Sequence, residues 1–313
     1  MSPWNILVTD GLDQSGLNIL HQSGSRVDLQ EVSPAELLTA APHYDALIVR
    51  GRTKVTAAVF AAAPQLKVVG RAGVGVDNID LQAAAARAVT VVNAPVATTI
   101  AVAELTLALL LASVREIPRA DAQAKAGKWI KKELEGTELH GKTLGIIGCG
   151  RIGRAVAVRG AAFGMRVLGF DNHPAGDDLS RQSIIPAAMD ELLAAADIIS
   201  LHIPLTDSTR GLLDAAAFAK MKTGVRIICA ARGGIIDESA LLQALDAGKV
   251  ASAALDVFSV EPPGQTALVS HPRVIVTPHI GAQTVEAQAR ASEDIAVEVL
   301  AALDRQPLRW KVA

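Results

Sequence analysis

Cysteine is nearly absent from this chain. Its 313 residues hold two, Cys149 and Cys229, both inside apolar strand-like runs and with no CxxC spacing. That excludes a disulfide framework and a thiolate zinc site, and it fits a reducing compartment. A surplus of one charge is lacking too. Thirty Lys and Arg stand against 32 Asp and Glu, for a net charge of −2. No basic excess argues for nucleic acid or an anionic membrane as partner. Nor is there an apolar run long enough to cross a bilayer, since the most apolar stretch, 100–114, carries Glu104 and falls short of the roughly 20 residues required. The N-terminus, MSPWNILVTDG, reads straight into a strand and lacks the charged-then-apolar layout of a signal peptide. No clustered ligand set calls for a metal. A soluble, cytoplasmic protein is expected.

What is present is a regular alternation. Half of the residues are apolar, and short β-rich runs alternate with alanine-rich helical runs. NILVT (5–9), DALIVR (45–50), LKVVGRA (66–72) and VTVVN (89–93) read as strands, with helical patterns around 12–21, 56–63 and 79–86. A long helix is expected from about 99 to 127. A second series follows: TLGIIG (143–148), RVLGFD (166–171), DIISLHI (197–203), VRIICAA (225–231), SAALDV (252–257) and VIVTPH (274–279). Continuous apolar strands separated by helices require parallel sheets covered on both faces. The fold class is therefore α/β, with two doubly wound parallel-sheet domains. A last helix, roughly 282–303, would pack back on the first domain and make it discontinuous. The expected division is a flavodoxin-like domain of 1–98 plus 282–313, with a Rossmann domain of 99–281 inserted in it.

Gly148-Cys149-Gly150-Arg151-Ile152-Gly153 follows a strand and opens a helix. In that setting glycines permit a tight turn and close backbone approach to a pyrophosphate, which the helix N-terminus stabilises. Alone the motif also fits mere close packing. Here the next strand ends at Asp171, about twenty residues on, where a carboxylate accepts from ribose hydroxyls and repels a 2′-phosphate. Asn172 rather than arginine follows it, so NAD is favoured over NADP.

Three later segments each offer one functional group at a strand end: CAARGGIIDESALL with Arg232, AALDVFSVEPP with Glu261, and PHIGAQTVEAQ with His279. Singly they also read as a surface ion-pair partner, a turn acid and a satisfied histidine. Together, with RAGVGVDNIDL and GKTLGIIGCGRIGR, they resemble the D-2-hydroxyacid dehydrogenase family, and within it the branch that oxidises D-3-phosphoglycerate. The likeness runs along essentially the whole chain. It implies NAD-dependent oxidation of D-3-phosphoglycerate to 3-phosphohydroxypyruvate, the opening step of serine biosynthesis. By resemblance, Arg232, Glu261 and His279 are the catalytic residues. The cofactor contacts are Gly148, Gly150, Arg151, Ile152, Gly153 and Asp171, with Ala230, Ala231, Arg232, Asp256, His279, Gly281 and Ala282 toward the nicotinamide. Val74 and Ile203 fall on cofactor contacts that are threonine in close relatives. Each lost hydroxyl bond is worth about 0.5–1.5 kcal/mol. The substrate's carboxylate would lie on Gly73, Val74 and Gly75, Arg232 and His279.

Arg50, Gly51 and Arg52, with Thr53 and Lys54, end a strand with three cations and a hydroxyl, an expected phosphate site. Phosphate-using relatives carry an arginine at Arg50 and often a serine at Gly51, and the charge of Arg52 is expected to compensate. Lys128, Lys131 and Lys132 could reach the site from a partner subunit. The resemblance implies a homodimer or homotetramer, with a dimer contact expected through the apolar helix after Thr99. Also expected are a substrate cleft between domains, with hinges near 97–100 and 281–284, and no serine feedback through a C-terminal module, since the chain stops at Ala313. Two alternatives stay open. One is another 2-hydroxyacid dehydrogenase, such as a glyoxylate or hydroxypyruvate reductase. The other is a dinucleotide-sensing interaction protein.

Overall fold

The computed structural model describes residues 3–172 and 183–313. The chain forms two compact units, Met1–Thr98 with Ala282–Ala313, and Thr99–Gly281. In the first, β1 (Asn5–Val8), α1 (Gln14–Gln22), β2 (Arg26–Leu29), α2 (Pro34–Ala40), β3 (Ala46–Val49), α3 (Ala57–Ala62), β4 (Val68–Arg71), α4 (Leu81–Ala86) and β5 (Thr90–Asn93) follow one another. Their sheet is parallel, in the order β2-β1-β3-β4-β5. The central β3, Ala-Leu-Ile-Val, is buried at every position, as a strand covered on both faces must be.

In the second unit α5 (Thr99–Val114) and α6 (Ile117–Lys125) lead into β6 (Thr143–Ile147), α7 (Arg151–Ala162), β7 (Arg166–Phe170), β8 (Ile184–Pro186), α8 (Met189–Ala195), β9 (Ile198–Leu201), α9 (Ala215–Lys220), β10 (Val225–Cys229), α10 (Glu238–Asp246), β11 (Val250–Leu255) and β12 (Val274–Val276). The sheet order is β12-β11-β10-β9-β6-β7-β8. The order of connection reverses between β6 and β9, and in open α/β sheets ligands bind at such a point, beyond the carboxyl ends of the strands.

The last helix, α11 (Val285–Leu303), returns to the first unit and packs on α1 and β4. Two glycines allow this approach. A Cβ on Gly70 would lie 2.4 Å from Val299 Cγ2, and one on Gly16 2.4 Å from the Ser292 carbonyl oxygen. Its first turn is capped by Thr284, whose hydroxyl accepts from Ala287 N at 3.1 Å.

The single helix expected over 99–127 is in fact two. Glu116 adopts φ 51°, and Pro118 lies in the first turn of the next helix. A left-handed residue ends one helix, and proline is tolerated only where a new one begins. The apolar α5 is not left bare either: Leu107, Leu109, Leu110 and Val114 are buried with Leu144 and Val156 in the core of their own unit. Ile100, in its first turn, stays 50% exposed, and farther along Ile117 is 54% and Trp129 88% exposed. Among the described residues, no helix is long and apolar enough to cross a membrane.

Candidate active site

The glycine turn lies between β6 and α7. Gly148 has φ 98°, and a Cβ there would come 2.5 Å from the His202 carbonyl oxygen and 2.7 Å from Ile203 Cγ2. Ile203, expected where relatives place a threonine, thus closes over the turn with a methyl group. A Cβ on Gly153 would lie 2.0 Å from the Gly148 carbonyl oxygen, so the first turn of α7 lies directly against the strand end. Gly150 differs: a Cβ there would meet nothing within 4 Å. It is the N-cap of α7 and supplies no side-chain cap. Open space above an uncapped twelve-residue helix suits the pyrophosphate of a dinucleotide. Arg151 is exposed and Ile152 half-buried at the start of that helix.

Asp171 follows β7, and its Oδ2 accepts from Cys149 N at 2.8 Å. The carboxylate expected to read the ribose therefore also fixes the glycine turn. Neither neighbour adds charge there. Burial, with the charge of Asp171 adding to it, pushes the Cys149 thiol up to about 11, and burial pushes the His202 imidazole down to about 4. We expect Asp171→Ala to weaken NAD binding and lower the NAD-over-NADP ratio of kcat/KM at least tenfold. Asp171→Asn, which keeps an acceptor for Cys149 N, separates the lost charge from the lost turn support. Parent-like discrimination in both variants would show that another group reads the ribose.

The proposed catalytic groups end three neighbouring strands, β10, β11 and β12. Ala230, Ala231 and Arg232 follow β10; Arg232 Nη1 donates to the Ala231 carbonyl at 2.7 Å. After β11 comes Glu261, whose Oε1 accepts from Phe258 N at 3.1 Å. His279 follows β12, and its Nδ1 lies 2.7 Å from Glu261 Oε2. With Nδ1 held by the carboxylate, Nε2 is the nitrogen left to exchange a proton with a ligand. His279 itself has φ 53°, a left-handed backbone that a non-glycine residue adopts only when its surroundings impose it.

Asp256, a residue of the segment expected along the nicotinamide half of the cofactor site, is fully buried and braces the turn that follows His279. Its Oδ1 accepts from Thr277 Oγ1 at 2.6 Å and Ile280 N at 2.8 Å, and its Oδ2 from Gly281 N at 2.8 Å. A Cβ on Gly281 would lie 3.2 Å from that same Oδ2. Nothing in the sequence separates a buried anchor from a ligand contact, since both are an acid at a strand end. Ala282, the last residue of the expected nicotinamide segment, uses its carbonyl to accept from Thr284 N and Gln288 Nε2.

In the first unit the substrate residues expected from the sequence end β3 and β4, which are paired. Gly73 donates its N–H to the Arg71 carbonyl at 2.8 Å, which narrows the expected carboxylate cradle to the amides of Val74 and Gly75. The Val74 carbonyl is fixed by Asn93 Nδ2 at 2.7 Å. Arg52 does not stand ready for a phosphate. Its guanidinium is bound to Asp10 at 3.3 Å, Glu31 at 3.1 Å and the Thr9 carbonyl at 2.8 Å. Among the described residues, the Arg50 guanidinium has one long hydrogen bond, to Gln283 Oε1 at 3.4 Å, and feels the charge of Asp10. At Gly51 a Cβ would meet nothing within 4 Å. Among the described residues no group of three His, Cys, Asp or Glu side chains could hold a metal.

Comparison with known proteins agrees with this geometry. Residues 107–281 match the NAD-binding domain of the D-isomer specific 2-hydroxyacid dehydrogenases. D-3-phosphoglycerate dehydrogenase of Rattus norvegicus is 49% identical over 94% of this chain and 55% of its own length. That of Mycobacterium leprae is 48% identical over 95% of this chain and 56% of its own. The chain thus spans about half the length of the curated relatives it matches. Among solved structures, the TT0316 protein of Thermus thermophilus superposes with a TM-score of 0.92 at 37% identity, covering 99% of this chain and 100% of the other. A D-lactate dehydrogenase of Aquifex aeolicus, complexed with NAD and lactic acid, gives 0.86 at 30% identity over 96% of each chain.

Proposed function

Since the chain belongs to the D-isomer specific 2-hydroxyacid dehydrogenases, we propose that it oxidises D-3-phosphoglycerate to 3-phosphohydroxypyruvate with NAD, opening serine biosynthesis. The observation that carries the chemistry is the 2.7 Å pairing of His279 with Glu261, on the sheet edge that also bears the glycine turn. Bound NAD supplies the hydride acceptor, held by the Gly148–Gly153 turn and Asp171. His279 takes the C2 hydroxyl proton on Nε2 and returns it in the reverse direction. Glu261 orients the ring through the contact with Nδ1. Arg232 binds the substrate carboxylate and polarises the C2 oxygen, a paired contact that suits a planar guanidinium better than lysine.

The phosphate on the substrate rests on two supports. One is the 46–49% identity to D-3-phosphoglycerate dehydrogenases; the other is the long, easily exchanged contact of the Arg50 guanidinium. NADH absorbance with each acid tests it. The phosphorylated acid should exceed D-glycerate and D-lactate at least tenfold in kcat/KM, and Arg50→Ala should erase most of that margin. Equal efficiency on D-glycerate would defeat the phosphate reading and leave a broader 2-hydroxyacid dehydrogenase, such as a glyoxylate or hydroxypyruvate reductase.

The same reading makes the chain a cytoplasmic homodimer. Its two thiols are unpaired and buried, as a reducing compartment allows. α6 buries no residue, and Ile117 at its start and Trp129 beyond its end stand exposed, apolar side chains suited to a second copy of the chain. Sedimentation should give a dimer that Trp129→Asp weakens. A monomeric parent at micromolar concentration would remove the dimer.

A further inference from the structure

The turn that carries Arg50 is held from two sides by residues with no assigned role. Its donors converge on one carboxylate. Asp10, just beyond β1, accepts from Arg50 N at 2.8 Å, Thr53 N at 3.1 Å and Thr53 Oγ1 at 2.6 Å. Its carbonyls converge on one amide: Asn78 Nδ2 donates to the Arg50 oxygen at 2.9 Å and the Thr53 oxygen at 2.6 Å. The Asp10 side chain is only 4% exposed. Burial works to raise its pKa, but the hydrogen bonds, led by those of Thr53, outweigh it and hold the carboxyl below its ordinary value. Asp10 is therefore charged at neutral pH.

The two guanidinium groups of the turn have different fates. Arg52 is drawn back onto Asp10 and Glu31. Arg50 gives Asp10 its backbone N–H and not its guanidinium, which reaches instead to Gln283 at 3.4 Å. A neutral amide at that distance is a weak partner that an anion readily displaces. We propose that Asp10 and Asn78 are positioning residues for the substrate's phosphate, clamping the 50–53 turn so that Arg52 is neutralised and Arg50 is presented to the anion. The inference rests on the phosphate reading above. Its physical basis is preorganisation: a long, rotamer-rich side chain binds better when the backbone that launches it is already fixed.

The test compares Asp10→Asn, Asn78→Ala and Thr53→Val with Arg50→Ala, using 3-phosphoglycerate and D-glycerate as substrates and thermal unfolding to verify folding. For Asp10→Asn and Asn78→Ala, KM for 3-phosphoglycerate should rise at least tenfold with kcat within about threefold. KM for D-glycerate should shift by less than threefold. Thr53→Val, the mildest change, should move the same ratio in the same direction, and with Asn78→Ala it decides the matter should Asp10→Asn fail to fold. If Arg50→Ala loses the phosphate preference while the folded clamp variants keep the parent's KM, the clamp is overturned and the phosphate reading stands. Equal losses on both substrates would also overturn it, as a purely structural role predicts. If Arg50→Ala leaves the preference intact, the phosphate reading falls and the clamp's proposed role falls with it.

Discussion

Replacing His279 with alanine is expected to cut turnover by about 10²–10⁴, the usual contribution of a general base, while leaving NADH affinity within a few-fold of the parent. The reason lies in where the imidazole stands. Its Nδ1 is held by Glu261, and it lies after β12, whereas the glycine turn follows β6, so the substitution leaves the turn proposed to hold the pyrophosphate untouched. Single-turnover kinetics at the parent's pH optimum, with NADH binding followed by fluorescence, separates the two. Turnover within a few-fold of the parent would mean that His279 is not the base. Loss of NADH binding in parallel would mean that the substitution disturbs the fold of the sheet edge instead.

The second large effect is expected at Asp256, which braces the turn of His279. Asp256→Ala strands three donors, Gly281 N in a buried bond and Thr277 Oγ1 and Ile280 N in part-buried ones. An unsatisfied buried group costs about 1–3 kcal/mol, so a loss of that order is expected, led by Gly281 N. The same bonds hold the turn that keeps His279 at φ 53°. A released turn relaxes toward ordinary backbone angles and carries the imidazole away from Glu261. A misplacement of about 1 Å can cost on the order of 100-fold in rate, so kcat should fall at least that far even where the variant is fully folded. Asp256→Asn keeps one acceptor oxygen for Thr277 and Ile280 but turns an NH₂ toward Gly281 N, and should fall between. Denaturant unfolding and kcat, measured well below the variant's melting temperature, decide the point. A folded Asp256→Ala with parental kcat would show that the turn holds His279 without its anchor.

The α/β class was legible because it depends on local pattern. Apolar runs such as ALIV at 46–49 and TLGII at 143–147 are short, continuous and separated by helical periods, and that arrangement admits little besides covered parallel sheets. The glycine turn was legible for a similar reason: its residues are contiguous, and Asp171 lies one βα unit away. The elements that escaped notice are those whose pattern is weak. β2, Arg-Val-Asp-Leu, lies at a sheet edge with its ends exposed. β8 has three residues, two of them exposed. Edge strands bury little, so they carry little apolar signal. The break at Glu116 escaped because a left-handed glutamate has no composition of its own.

Which residue types exist at the strand ends was thus settled by the sequence itself: a glycine turn, an acid one strand on, and an arginine, a glutamate and a histidine on later strands. What each does was decided by tertiary structure, because hydrogen-bond partners are set by distances between segments far apart in the chain. Arg50 and Arg52 are two residues apart and chemically alike, yet the guanidinium of Arg52 is hydrogen-bonded to Asp10 and Glu31, and that of Arg50, which feels Asp10 only through its charge, reaches the Gln283 amide at 3.4 Å. Asp171 and Asp256 are both strand-end acids. One fixes the amide of the glycine turn, and the other, fully buried, fixes the turn of His279. A sequence lists donors and acceptors, but a carboxylate's role follows from which of them the fold brings within 3 Å of it, and from whether water can reach it as well.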